Sequence, residues 1–183
     1  MKMLLSLLIF LISAQISVRA DSISLDDLGF QKTQTESNPE LQKTLEKRSS
    51  MLKTHQVLAL VTAAPMIANY FLGDEAGHSG STRNAHAWLG ATTASLYFTS
   101  ASFAIFAPKP DGIEDQGNTR IHRALAWVHA PLMIITPILG TMAKNQIESG
   151  HRHVTGIVDL HGAAATTLLI SYLASIAVMS FNF

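Results

Sequence analysis

Histidine is the residue type that could do chemistry in this chain. There are eight histidines and no cysteine. His122 and His129 lie seven positions apart in an apolar stretch from Thr119 to Ala143. That spacing is two helical turns, so both imidazoles share one helix face. Ionisable groups inside such a stretch are costly and usually face a bundle interior, a cofactor or a polar path. His55, His86 and His161 stand near the starts of three further apolar segments. His78 falls in a Gly/Ser-rich link and reads as solvated. His151 and His153 read as surface groups, although a His-x-His pair binds metal weakly.

The elements that must position these side chains follow from composition. Apolar residues make up 48% of the 183 positions and charged residues 14%, well below the soluble average of about 25%. Mean hydropathy is +0.23. Both point to a membrane protein. The formal net charge is zero, so nothing suggests a nucleic-acid partner. Without cysteine, disulfides, thiolate ligands, iron–sulfur clusters and a lipid-modified N-terminal Cys are excluded.

Residues 1–20 read as a secretory signal peptide, with Lys2, an apolar run to Val18, and small residues at Val18 and Ala20 before Asp21. The alternative is an uncleaved anchor. Residues 21–50 form a polar segment too poor in large apolar groups to build a core. Within it, Asn38 and Pro39 offer a helix start, and Leu41, Leu45 and Leu52 recur at helical spacing. This is an amphipathic lead-in to the first span, or a flexible tail. Residues 51–183 then hold four apolar segments, near 51–73, 84–107, 119–143 and 155–181. Each is long enough to cross a hydrocarbon core of about 30 Å. Short links favour antiparallel neighbours. The expected fold is all-α: a four-helix up-down-up-down transmembrane bundle after a signal peptide. No internal repeat is visible beyond the histidine near each span's start.

In such a bundle, helices 1 and 3 are diagonal, and so are helices 2 and 4. Alternating direction brings His55 and His122 to one depth and His86 and His161 to another. Diagonal imidazoles at matched depth can hold one metal from opposite sides. That geometry suits bis-histidine haem, whose ring would be buried among helices. Small residues near the ligands leave room: Ala85, Ala87 and Gly90, then 162–165. Arg120, Arg123, Lys53 and Arg83 sit at helix ends where propionates need cations. His129 is an alternative partner for His55, a proton or quinone contact, or a group bonded inside the bundle. Trp88 suits an interfacial belt, and Trp127 either that belt or a wall beside a porphyrin.

His86-Ala87-Trp88-Leu89-Gly90 and Ile121-His122-Arg123-Ala124-Leu125, with Thr54-His55 and Asp159-Leu160-His161-Gly162, resemble the histidine-bearing helix starts of the cytochrome b561 family and its bacterial four-helix relatives. The resemblance covers roughly residues 50–181. It implies one or two haem b groups, with His55 and His122 as axial ligands of one iron and His86 and His161 of the other, and electron transfer across the membrane. The chain departs from the family pattern at Gln56, where Gly is usual, and in carrying His129. No ascorbate-binding segment is recognisable. Donor and acceptor stay open among quinone, an ascorbate-like reductant and a redox protein.

Two other readings compete. A membrane metalloenzyme of the histidine-box type, with non-haem iron or zinc, needs clustered ligands on one membrane side. A histidine-rich membrane subunit or transporter would use the same groups for packing or protonation. The signal peptide puts the mature N-terminus outside the cytoplasm, in the periplasm if the membrane is a bacterial inner membrane. The positive-inside rule prefers the reverse, because Lys43, Lys47, Arg48, Lys53, Lys109, Arg120 and Arg123 share that side. The signal commits the chain first, so its orientation is preferred.

Overall fold

The computed structural model describes residues 38–112 and 117–180. The expected signal segment at residues 1–20, the rest of the stretch before Asn38 and the last three residues lie outside the described residues. Asn38 caps the first helix: its side chain accepts the Leu41 backbone N–H at 3.1 Å, and Pro39 occupies the first turn, where no amide bond is lost. Helix α1 then runs unbroken over Pro39–Ala76, 38 residues. At 1.5 Å per residue it is roughly 57 Å long, well beyond a hydrocarbon core. The lead-in and the first span are therefore one helix. Its projecting turns are anchored: Leu45 is fully buried, and Arg48 Nη1 donates to the Pro108 carbonyl at 3.1 Å.

Helix α2 (Gly80–Ile105) starts at the Ser79 cap. Helix α3 (Gly117–Glu148) carries Pro131 and Pro137. A 3-10 turn over Gly156–Leu160 leads into α4 (His161–Ser180). Gly150 and Gly156, with φ of 89° and 71°, supply the left-handed backbone that this last link needs. Arg83 closes the tight α1–α2 link by donating from Nε to the Ala76 carbonyl at 3.0 Å, at the open end of α1. No strand occurs among the described residues.

Helices α1 and α2 pack along their length, as do α3 and α4. Narrower seams join α1 to α4 and α2 to α3. The backbones of α1 and α3 do not approach each other, nor do those of α2 and α4, so these pairs are diagonal. Each packed pair runs antiparallel: His55 early in α1 meets Ser100 late in α2, and His122 early in α3 meets Ser175 late in α4. The core is a small layer of Met66, Tyr97, Met133, Leu168 and Tyr172. Outside it, large apolar side chains point away from the protein, among them Val61, Phe71, Ile134, Ile138 and Ile170. So apolar an exterior suits a lipid bilayer.

Three helices, α1, α3 and the 3-10 turn with α4, are long and apolar enough to cross a membrane. Helix α2 is long enough but is diluted by hydroxyl residues. Those hydroxyls are satisfied within the helix: Thr92, Thr93, Ser95 and Thr99 each donate to the carbonyl four residues back, at 2.7–3.0 Å. Bonded this way, they ask nothing of a surrounding solvent.

An internal repeat is present, contrary to the sequence expectation. Aligning His55 on His122 also aligns Leu58 with Leu125, Ala59 with Ala126, Met66 with Met133, Ile67 with Ile134 and Gly73 with Gly140. Aligning His86 on His161 also aligns Tyr97 with Tyr172 and Ser100 with Ser175. The two helical hairpins have different linker lengths, so no single offset covers both helices. That is why a fixed-period scan misses the repeat.

Candidate functional site

At one end of the bundle, His55 and His122 reach across the diagonal from α1 and α3. Their ring centroids are 6.1 Å apart and their planes cross at 76°. His55 Nδ1 lies 2.9 Å from the Ser100 carbonyl. A carbonyl only accepts, so Nδ1 carries the proton and Nε2 keeps its lone pair. The Ser100 hydroxyl stands 3.1 Å from the same Nδ1 and donates to the His55 carbonyl at 2.9 Å. His122 has the matching partner in α4: Ser175 Oγ at 2.7 Å from Nδ1, with the Ser175 carbonyl further off at 3.4 Å.

The other end repeats the arrangement with α2 and α4. His86 and His161 have centroids 6.0 Å apart and planes at 90°. His86 Nδ1 donates to the Asn69 carbonyl at 3.0 Å and His161 Nδ1 to the Thr136 carbonyl at 3.1 Å. Gly140 makes the second contact possible. A Cβ there would stand 2.9 Å from His161 Cε1, too close for the ring to stay. At the matching Gly73 the distance to His86 Cε1 would be 3.6 Å, an ordinary contact.

Two imidazoles bonded to one metal through Nε2 at about 2 Å have centroids roughly 6 Å apart. Both observed separations fit that requirement. The supporting bonds fit as well, because a ligating imidazole normally has its other ring N–H held by a carbonyl or carboxylate, which fixes its orientation. Two imidazoles paired at this separation across a diagonal could hold a planar iron group such as haem. Among the described residues, no three His, Asp or Glu side chains gather as a non-haem ion would need.

His129 takes no part in either pair. It is buried between them, with Nδ1 2.8 Å from Tyr97 Oη and its ring edge-on to Tyr97 and Tyr172. Of the alternatives open for it, the geometry matches a group bonded inside the bundle. Trp88 and Trp127 are 76% and 82% exposed, on the surface that suits a membrane interface. His78, His151 and His153 are exposed. Asp159 is exposed in the 3-10 turn, and His161 is oriented by Thr136. Arg83 is engaged in closing α1.

Sequence reasoning overlooked Ser100, Ser175, Gly140, Tyr97 and Tyr172. The signal that would have found them is the repeat itself, in which a Tyr and a Ser recur at fixed distances after His86 and His161. No family model, curated protein or solved structure matches the chain.

Proposed function

We propose that this chain is a membrane b-type cytochrome that carries electrons across the bilayer. In this reading the four helices form an up-down-up-down transmembrane bundle behind a cleaved signal peptide. Helix α2 is the fourth span, its hydroxyls silenced by its own carbonyls. His55 with His122, and His86 with His161, would hold two haem b groups. Bound there, haem supplies a one-electron iron couple near each leaflet.

One observation carries the reading. Each end of the bundle has a diagonal imidazole pair at metal-sharing separation, and each Nδ1 is engaged by the neighbouring helix. The chain's own residues do three things for such a group. The carbonyls of Ser100, Asn69 and Thr136 and the hydroxyl of Ser175 hold the rings in orientation. Gly140 lets the His161 imidazole lie against the neighbouring helix. The apolar helix faces exclude water. The proposed setting is a bacterial inner membrane with the mature N-terminus in the periplasm. A quinone, an ascorbate-like reductant or a redox protein would serve as donor or acceptor.

The test is a reduced-minus-oxidised spectrum of the membrane-extracted protein, with haem counted per chain. A Soret band and b-type α-band, at up to two haems per chain, are expected. Iron or zinc without porphyrin would move the protein to the non-haem class. Absence of any bound metal would leave the histidine-rich structural subunit.

A further inference from the structure

The repeat leaves one position unexplained. Thr62 of α1 corresponds to His129 of α3. Thr62 is fully buried, its hydroxyl donating to the Leu58 carbonyl at 2.7 Å. His129 is 5% exposed, and its Nε2 is buried with no hydrogen-bond partner. Packing in this layer is met by a threonine in one half. An imidazole in the other half leaves a nitrogen desolvated and unmatched.

The titratable groups facing His129 are Tyr97 from α2 and Tyr172 from α4. His122, paired with His55 of α1, lies two turns before it on its own helix. Met66, Met133 and Leu168 complete the layer around the two tyrosines. No Asp, Glu, Lys or Arg is buried among the described residues. A helical side chain leans toward its helix N-terminus, so His129 leans toward the His55–His122 pair.

We infer that the His129 imidazole is a buried proton site linked to the charge of whatever metal group His55 and His122 hold. The inference rests on the haem reading. His129 lies about 10 Å along α3 from His122. At that distance, in an effective dielectric near 20, one unit of charge changes proton affinity on the order of tenfold. When an added one-electron reductant lowers the charge held between His55 and His122 by one, the His129 imidazole draws at most about half a proton per electron from water, the share a tenfold coupling allows. The fraction that becomes imidazolium offsets part of the added negative charge, and reoxidation returns the proton. The route of the proton sets its rate and not the equilibrium.

Linkage is reciprocal, so the proton must also favour the electron. Potentiometry on the full-length holoprotein in detergent, over roughly pH 3 to 8 to take in a buried histidine, should show one haem component whose midpoint potential falls as pH rises. A tenfold coupling corresponds to a total fall of about 59 mV for a one-electron couple. His129→Phe should keep the haem spectrum and flatten that component. Tyr97→Phe should keep the fall but move the pH at which it occurs. If His129→Phe does not fold, His129→Gln should flatten the component likewise. Potentials independent of pH in the wild type overturn the inference and leave the cytochrome reading standing. So does a fall unchanged in both the His129 and Tyr97 variants. Absence of haem overturns both.

Discussion

The imidazole rings are oriented by groups that belong to other helices. Each Nδ1 reaches a neighbour's carbonyl or hydroxyl, and Nε2 is the ring nitrogen left for a ligand. Ser175 is the closest such partner, at 2.7 Å from His122. Removing a supporting hydrogen bond of this kind typically costs 10–100-fold in metal affinity. Ser175→Ala should therefore weaken haem retention at the His55–His122 end, read as haem lost on dilution or competition. Gly140 gives a steric version of the same test. Gly140→Ala puts a methyl 2.9 Å from His161 Cε1, and a ring has no flexible end to move aside. Haem content should fall at the His86–His161 end only. The matching Gly73→Ala, with 3.6 Å available, should leave both ends occupied. Equal loss in the two glycine variants would contradict the placement of these rings.

Among the elements, α1 differs most from a simple span. Its first turns project past the apolar stretch and fold onto the link that follows α2. Leu45 is fully buried there, and Arg48 holds the Pro108 carbonyl. Leu45→Ala removes a buried side chain and should cost about 2–5 kcal/mol. Thermal unfolding in detergent should show a lower midpoint, with the reduced spectrum unchanged below it. A changed spectrum would mean that the lead-in touches the haem site directly. Helix α2 shows the opposite relation between sequence and element. Its hydroxyls lower its apolarity, but they bond backward along the helix, so its exterior is less polar than its composition.

At the scale of the molecule, the bundle is two similar hairpins facing each other. Equivalent residues do equivalent work: His55 and His122, His86 and His161, Ser100 and Ser175, Met66 and Met133, Tyr97 and Tyr172. On the proposed haem reading, histidines sharing one iron should behave as a unit, and histidines on different irons should not. His86→Leu, His161→Leu and the double variant should each retain one haem per chain. Combining His86→Leu with His122→Leu should leave none. Haem counted per chain, with the spectrum of the surviving site, checks this. The one place where the halves part, Thr62 against His129, is the place that invites a role beyond packing.

The sequence by itself determined the helical character, the apolar segments and the depth of each histidine, because these depend on periodicity and on distance along a helix. Asn38, Pro39 and the leucines after them also announced where α1 begins. Only the tertiary structure decided which nitrogen of each imidazole is occupied, that Gly140 must lack a side chain, and that His129 lies between the pairs without joining either. Those facts depend on contacts between residues far apart in the chain. The repeat lay between these cases. It was written in the residues, but unequal linkers hid its register until the helices were laid side by side.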